Sequence, residues 1–355
     1  MSNSETGNGD PTNDRKLEHI NIIRNDPATD RRRHYFDDIQ LTHRALPELN
    51  FSEVDTTTQI LGKPLQLPLL ISSMTGGQQD LIQRVNQNLA EAAEATGIAM
   101  AVGSQRVMFT HPAARKSFEL RKYAPNTVLI SNLGAVQFNL GFGLDECQAA
   151  IDAIGGDEAS GADGLYMHLN PLQEAIQPEG DTDFSGLTAK MKALSDALEV
   201  PVLAKEVGAG LSRADGDRLL AAGIQHLDVA GSGGTSWSRI EHFRDAKNES
   251  ANLGLLFQDW GIPTPLALKQ LAPLREQGAT LIASGGIRNG IDMAKAMILG
   301  ADLCGMAGPF LEPAIESSEA VIRMIHQVDR EFRTAMFLLG AGDINSLTGN
   351  TDLLT

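Results

Sequence analysis

Short aliphatic runs and amphipathic stretches alternate along this chain from about residue 67 onward. Each run is nearly continuous in apolar residues and reaches Gly, Ser, Asn or Thr near its end. That pattern is typical of a parallel strand buried on both faces. The runs predict eight strands, at residues 67–74, 98–104, 128–134, 164–170, 201–208, 226–231, 280–286 and 303–308.

The stretches between these runs have helical periodicity. In residues 81–96 the apolar positions recur every three or four residues, which places them on one face. Further helices are predicted over residues 185–198, 212–222 and 290–299, with Ser185 and Ser212 as candidate N-caps.

Eight strand–helix units in about 250 residues match a TIM (β/α)8 barrel, an α/β fold, in count and length. An open, doubly wound sheet would more often divide into two halves, with one fingerprint loop after its first strand. The pattern therefore predicts the barrel.

The chain divides into three predicted segments. Residues 1–13 are polar and are expected to form a disordered tail. Residues 14–66 form an N-terminal extension that carries the basic cluster Arg31-Arg32-Arg33-His34, and residues 67–345 form the barrel. The connection from Gly231 to about Ile262 is too long for a simple loop, so it should carry function or a short helix of its own.

Composition narrows the classes of partner. The chain has 29 Lys+Arg against 45 Asp+Glu, a formal charge of −16, which argues against a protein that mainly binds nucleic acid or an anionic membrane surface. Lys contributes only 10 of the basic residues. At about 1 M salt the Debye length is roughly 3 Å, which largely screens the self-repulsion of such a chain. We therefore expect a salt-rich cytoplasm; the alternative is an ordinary acidic enzyme.

Cysteine and hydropathy patterns indicate an intracellular protein. Cys147 and Cys304 lie far apart without CxxC spacing, so neither a disulfide framework nor a structural zinc site is expected. No apolar run reaches 18 residues, and the N-terminus lacks an apolar signal core. We expect no membrane span, no secretory signal and a cytoplasmic location.

The predicted strand ends gather polar residues, and the last two indicate a phosphate site. Ser284-Gly285-Gly286-Ile287-Arg288 ends strand seven and Met306-Ala307-Gly308 ends strand eight. Glycines allow close approach of the backbone, and a barrel commonly binds phosphate after these two strands. The alternative is that the glycines only form turns.

Ionisable residues at other strand ends leave several roles open. Lys205, inside a buried strand, could be a Schiff-base nucleophile, a structural ion-pair partner or a charge beside a flavin ring. Glu174 could bind Mg²⁺ or lie on a helix surface. His168 could be a general base, a phosphate donor or a satisfied core histidine.

Eight motifs together resemble the type 2, flavin-dependent isopentenyl-diphosphate isomerases. They are RKLEHI (15–20), SSMTGG (72–77), AVGSQR (101–106), HLNPLQE (168–174), KEVG (205–208), GSGGTSW (231–237), ASGGIR (283–288) and GMAG (305–308). The resemblance implies interconversion of isopentenyl and dimethylallyl diphosphate with FMN, Mg²⁺ and a reductant such as NAD(P)H. It also implies a homo-oligomer, a tetramer or octamer. Together with the composition it suggests a salt-adapted archaeal source.

The resemblance also implies roles for particular residues, with FMN itself as the acid–base group. Gln173 and His168 would assist catalysis, and Glu174 would hold Mg²⁺. RKLEHI would act as a lid that closes over the barrel mouth on the diphosphate. Substrate contacts would fall on Arg15, Lys16, Ser104, Gln105, Arg106, His168, Asn170 and Gln173. FMN contacts would fall on Ser73, Met74, Thr75, Ser104, Asn132, Lys205, Thr235, Gly285, Gly286, Arg288, Ala307 and Gly308.

Three other functions share part of this pattern. An α-hydroxy-acid oxidase needs a base, usually His, near the end of a late strand, and GSGGTSW has none. An inosine-monophosphate-dehydrogenase-like barrel needs a nucleophilic cysteine in a flexible loop, and neither Cys147 nor Cys304 lies in such a loop by sequence. The third rival is a flavin-binding protein without catalysis.

Overall fold

The computed structural model describes residues 11–157, 159–244 and 252–355. Its centre is a closed barrel of parallel strands in which each strand pairs with its neighbours in chain order and the last pairs with the first. The barrel strands are β3 (Leu69–Ile71), β4 (Ala99–Ala101), β5 (Leu129–Gly134), β6 (Gly164–Leu169), β7 (Val202–Glu206), β8 (His226–Asp228), β9 (Thr280–Ser284) and β10 (Leu303–Met306). The predicted TIM barrel and its eight strands are confirmed.

The continuous apolar runs are explained by burial on both sides of the barrel wall. Leu69 and Ile71 pack into the large core between strands and helices, while Leu70 between them lies in the second core, inside the barrel. Tyr166 and Leu203 fill the same interior from β6 and β7. Each strand therefore needs apolar residues at successive positions.

Helices surround the barrel, and the four predicted ones are present within one or two residues of their predicted bounds. They are α1 (Pro11–Asn25), α2 (Asp80–Thr96), α3 (Val107–Thr110), α4 (Leu144–Gly155), α5 (Pro171–Ile176), α6 (Leu187–Ala197), α7 (Arg213–Ala221), α8 (Trp237–Arg244), α9 (Leu253–Leu256), α10 (Thr264–Leu271), α11 (Gly290–Ile298), α12 (Gly308–Glu316), α13 (Ser318–Leu339) and α14 (Ile344–Leu347). Among the described helices, none combines the length and apolarity that crossing a membrane requires.

One of the two predicted N-caps is correct. The Ser212 side chain accepts a hydrogen bond from the Asp215 amide at the start of α7. Ser185 is not a cap, because α6 begins after Gly186, and the Ser185 hydroxyl instead donates to Asp183.

The N-terminal extension contains α1 and a hairpin of β1 (Thr58–Ile60) and β2 (Lys63–Leu65). The predicted disordered tail lies outside the described residues as far as residue 10, and its last three residues belong to α1. At the other end, structure continues past the predicted barrel boundary at 345, since the Thr42 amide donates to the Leu353 carbonyl at 2.9 Å. The long connection after β8 carries α8 and α9, as expected.

Candidate active site

A cavity of about 530 Å³ opens at the C-terminal end of the barrel, and α1 supplies part of its wall. A concave, largely apolar site with a few convergent polar groups at this end is where barrel enzymes bind their ligands. The twelve residues implied in FMN contacts all line it: Ser73, Met74, Thr75, Ser104, Asn132, Lys205, Thr235, Gly285, Gly286, Arg288, Ala307 and Gly308. The structure brings them together, and their contacts with FMN stay a prediction.

The loop after β9 allows close approach of the backbone. Gly285 and Gly286 have φ angles of 93° and 82°, and a Cβ on Gly285 would lie 2.2 Å from the Gly231 carbonyl oxygen. Beside this loop, α12 begins at Gly308 with its N-terminus on the cavity wall. Backbone N–H groups at a helix start favour a phosphate. This wall fits the phosphate of FMN.

Arg288 lies at the edge of the same wall. Its Nε donates to Asp292 at 3.0 Å, and its Nη2 donates to Asp37 of the extension at 2.6 Å. Burial opposes the charged form, but the hydrogen bonds to Asp37 and Asp292 outweigh it and raise the pKa of Arg288. The guanidinium is therefore held in one orientation by two carboxylates.

Lys205 faces the cavity from β7 and has a buried counter-ion. Its Nζ lies 3.5 Å from Asp228 and donates to the Glu206 carbonyl at 3.1 Å and to Ser284 Oγ at 3.3 Å. Asp228 is fully buried and also accepts a 3.0 Å hydrogen bond from the Tyr166 hydroxyl. The structural ion pair is therefore present, and Lys205 also lines the cavity; its role beside a flavin ring stays a prediction.

His168 lies at the end of β6, half-buried and surrounded by cationic side chains. Its Nδ1 is 2.8 Å from Asn132 Oδ1, an acceptor, so Nδ1 carries a proton. Burial, reinforced by the positive charges of Lys16 and Lys205, lowers the pKa of His168 to about 3. In the free protein the imidazole is therefore neutral at physiological pH, with Nδ1 donating to Asn132 and Nε2 left as an acceptor.

Gln173 is held by a buried carboxylate that sequence reasoning missed. Its Nε2 donates to Glu241 Oε1 at 2.8 Å, and the same oxygen is 3.0 Å from His19 Nε2. Arg244 donates to the other oxygen of Glu241 at 2.5 Å. Burial is the largest influence on Glu241 and opposes its charge, yet the hydrogen bond from His19 and the charge of Arg244 lower its pKa to about 2. Glu241 is therefore an ionised anchor for Gln173.

Two signals in the sequence pointed towards this cluster. Glu241 is on α8, within the connection that is too long for a simple loop, and His19 is the fifth residue of RKLEHI. His19 also packs edge-on against Trp237, with ring centroids 5.1 Å apart. The cluster therefore joins α1 to α8 at the cavity wall.

Glu174 lies behind the cavity wall, not on it. It is 8% exposed, and its oxygens accept hydrogen bonds from Asn170 Nδ2 at 2.8 Å and from the Asp181 amide at 2.8 Å. Burial raises the pKa of Glu174. The neighbouring Asn170 Oδ1 is buried without a hydrogen-bond partner.

These oxygens fit the donor set of Mg²⁺. Within the described parts of the chain, no group of three or more His, Cys, Asp or Glu side chains is placed to hold a metal ion. Mg²⁺, however, commonly takes one or two protein oxygens and completes its shell with water and substrate phosphates. The Glu174 carboxylate and the unpartnered Asn170 Oδ1 fit such a site.

Of the eight residues implied in substrate contacts, four line the cavity: Lys16, Ser104, His168 and Gln173. Arg15 and Arg106 stand behind them in ion pairs, with Glu179 at 3.7 Å and with Asp181 respectively. Both contribute to the lowered pKa of His168, which places their charges near it. Asn170 faces Glu174.

Gln105 does not line the cavity, and its predicted contact with substrate stays a prediction. It is fully buried, its Nε2 donates to the Ala150 carbonyl at 2.7 Å, and its Oε1 accepts from the Asn132 amide at 2.8 Å. Because both ends of the amide bond to backbone, Gln105 joins the loop after β4 to β5 and to α4.

The fold and this site define an FMN-dependent enzyme of the TIM-barrel class. Residues 15–120 and 159–353 match the family of FMN-dependent dehydrogenases. Solved structures with the same fold include the flavin-binding domain of baker's yeast flavocytochrome b2 (TM-score 0.67, 17% identity, 90% of this chain and 76% of that chain). Another is (S)-mandelate dehydrogenase (TM-score 0.64, 17% identity, 96% of this chain and 91% of that chain). At these identities the likeness shows the fold alone.

Within that class, the chain belongs to the isopentenyl-diphosphate delta-isomerase family. It is 55% identical over 343 residues to the isopentenyl-diphosphate delta-isomerase of Paracoccus zeaxanthinifaciens, covering 96% of each chain. It is 52% identical to that of Hydrogenovibrio crunogenus, covering 97% of this chain and 98% of the relative, and 40% identical to that of Pyrococcus abyssi, covering 94% and 90%. The predicted family is confirmed, and an oxidase or a dehydrogenase of the same fold is not favoured.

Proposed function

We propose that this chain interconverts isopentenyl and dimethylallyl diphosphate for isoprenoid biosynthesis, with FMN bound in the cavity at the C-terminal end of the barrel. The observation that carries the proposal is the convergence of the family motifs. RKLEHI on α1, HLNPLQE at the end of β6 and the glycine motifs at the ends of β9 and β10 all contribute residues to the same cavity wall. The names of the relatives supply the substrate pair.

FMN, when bound and reduced, supplies acid–base chemistry at N5 and at the N1–C2=O edge. The glycine wall and the N-terminus of α12 would hold its phosphate, with Arg288 at the edge. Lys205 would balance the negative charge of the reduced ring, and Asp228 keeps the Lys205 ammonium aimed at the cavity. On this side of the cavity the protein would bind FMN and balance its negative charge.

At the α1 side, basic residues would hold the diphosphate of the substrate. Lys16 lines the cavity, and Arg15 and Arg106 lie behind it. His168 would donate from Nε2 to a diphosphate oxygen, which requires the bound diphosphate to favour protonation of Nε2, because Nδ1 already donates to Asn132. Glu174 and Asn170 Oδ1 would hold Mg²⁺, so that the diphosphate is bound by several cations.

Gln173 would position the alkene end of the substrate. Its amide is fixed by the ionised Glu241, which is itself held by His19 and Arg244. Ile20 and Ile23 of α1 and Trp237 of α8 add apolar surface to the cavity. A covered, apolar site excludes water from a reaction that needs a strong acid against an unactivated alkene.

An anaerobic assay tests this function. The protein is mixed with dithionite-reduced FMN, Mg²⁺ and isopentenyl diphosphate, and dimethylallyl diphosphate is followed by NMR. We expect product with FMN and none without it. A yellow preparation that forms no product under these conditions would identify a flavin-binding protein without catalysis. Replacing FMN with 5-deazaFMN tests the role of N5, since full activity with the analogue would exclude it.

Three further predictions belong to this proposal. NAD(P)H would serve as the reductant of FMN, which is tested by anaerobic bleaching of the bound flavin on addition of NADH or NADPH. A homo-oligomer, a tetramer or octamer, is tested by light scattering of the purified protein. A cytoplasmic location is tested by fractionation of the source cells.

A further inference from the structure

Arg31 is a buried residue of the basic cluster 31–34 to which no motif assigns a role. It is only 5% exposed. Its Nε donates to the Gln258 carbonyl at 2.8 Å and its Nη1 donates to the Gly208 carbonyl at 2.8 Å. Longer hydrogen bonds reach the carbonyls of Thr235, at 3.3 Å, and Trp260, at 3.4 Å. One guanidinium therefore binds four backbone carbonyls.

These carbonyls belong to loops that form one side of the cavity. Gly208 follows β7 and Thr235 follows β8, and both line the cavity. Gln258 and Trp260 lie in the connection that leads to α10. Arg31 therefore sits directly behind the cavity wall and ties three separate segments together.

The backbone beside Arg31 adds to this attachment. The Arg31 amide donates to the Gly234 carbonyl at 3.1 Å, and the Ser236 amide donates to the Thr29 carbonyl at 2.7 Å. His34 Nδ1 donates to the Gly233 carbonyl at 3.0 Å. Residues 29–34 thus run along the loop after β8 and hold it from the side of the extension.

The chemistry of this contact requires arginine. Burial lowers the pKa of Arg31, because a charged group leaves water when it is buried. The nearby carboxylates of Asp259 and Glu206 offset part of that cost. The four carbonyls offset more of it, because a planar guanidinium with five N–H donors can reach all of them at once. A lysine keeps the charge but cannot reach carbonyls on three segments at once.

We infer that Arg31 is a positioning residue of the flavin cavity. It fixes the backbone at Gly208 and Thr235 in the conformation that accepts FMN, and it places a positive charge behind the wall that faces this anion. The inference rests on the proposed binding of FMN and goes beyond it, because Arg31 lies outside the cavity-lining set.

The structure offers a matched control in Arg121. It is 3% exposed and also donates to backbone carbonyls, those of Ala124 and Thr127 at 3.1 and 2.8 Å and that of Gly161 at 3.0 Å. It donates as well to the Asp163 carboxylate at 2.9 Å. Neither Arg121 nor these partners line the cavity. Replacing Arg121 therefore removes a comparable buried guanidinium away from the flavin.

The experiment compares Arg31→Met, Arg31→Lys and Arg121→Met with the unchanged chain. FMN affinity is measured by quenching of flavin fluorescence on titration into apoprotein, and the bound ring is observed by visible circular dichroism. We expect Arg31→Met to raise the Kd for FMN at least about tenfold and to change the dichroism, with Arg31→Lys in between. Arg121→Met should lower the Tm and leave both flavin signals unchanged.

Each other outcome has a defined meaning. Unchanged FMN affinity and dichroism in Arg31→Met, or equal losses in Arg31→Met and Arg121→Met, would overturn the inference. Where Arg31→Met does not fold, Arg31→Lys decides by the same two signals. An unchanged chain that takes up no FMN would overturn the proposed function as well, which separates the two failures.

Discussion

The environment of Lys16 allows a quantitative prediction, because it destabilises the charged side chain in the free protein. Lys16 lines the cavity from α1, and burial together with the charge of Arg15 lowers its pKa from 10.5 to about 8. The diphosphate of a bound substrate would place negative charge beside it and favour the ammonium form. Lys16→Met therefore removes a group that destabilises the free protein and stabilises the complex.

The magnitude follows from the two pKa values. One pKa unit corresponds to about 1.4 kcal/mol, so the difference between 10.5 and about 8 amounts to about 3 kcal/mol. The folded-state pKa is the lower one, so the unfolded chain binds more protons between pH 8 and 10.5 and stability rises with pH across that window. Below about pH 8 the buried Lys16 ammonium destabilises the folded protein by the full amount.

Substrate binding should show the opposite dependence on pH. If bound diphosphate restores the usual pKa of Lys16, the affinity for isopentenyl diphosphate falls about tenfold for each pH unit above about 8. The total loss reaches roughly 300-fold at pH 10.5. The assay is the KM for isopentenyl diphosphate between pH 7 and 9.5, measured with FMN saturating. Lys16→Met should have a higher KM at pH 7 and should lack this rise.

A second measurement and a control complete the test. Denaturant unfolding of the apoprotein at pH 7 should show Lys16→Met to be more stable, by up to about 3 kcal/mol. Lys192→Met is the control, since Lys192 is exposed on α6 and pairs with Asp196. The reasoning fails if Lys16→Met is less stable than the unchanged chain, or if its KM follows the same pH dependence.

The remaining predictions concern the lid, the anchor of Gln173 and salt. Arg15→Ala combined with Lys16→Ala should raise KM and leave the FMN affinity of the free protein unchanged in a fluorescence titration; loss of FMN would count against a lid. Glu241→Gln should lower kcat about tenfold or more and change KM less, because Gln173 loses its charged partner; steady-state kinetics check this, and an equal loss in KM would contradict it. Activity and Tm should rise with KCl into the molar range, and an optimum in dilute buffer would refute the salt-adapted, archaeal interpretation.

The barrel could be predicted because each strand carries its own evidence. Leu70 is apolar because it packs inside the barrel, and its neighbours Leu69 and Ile71 are apolar because they pack against the surrounding helices. Burial on both faces therefore leaves a short, continuous apolar run in the sequence. The glycines at the strand ends could also be predicted from their immediate sequence neighbours. Gly285 has to be glycine because its own φ and the adjacent Gly231 carbonyl exclude a Cβ.

Side-chain partners were predicted less well because they come from distant positions. Gln105 follows a strand, as a cavity residue would, yet its amide bonds to Ala150, 45 positions away. Glu241 lies 68 positions from Gln173 and 222 from His19. No spacing rule connects such residues, so the sequence could identify the ends of the strands but not which polar groups bond to one another there.

The protonation states of His168 on the cavity wall and of Glu241 buried behind it bear on the source of the acid. Protonating an unactivated alkene needs a group that holds a proton and is strongly acidic. His168 is neutral, because its pKa is about 3, and it gives up its Nδ1 proton only to form an unstable anion. Glu241 is ionised, with a pKa of about 2, and can only accept. In the free protein neither side chain supplies a proton near neutral pH, which supports positioning and charge balance as their work and agrees with the proposed acid–base role of FMN.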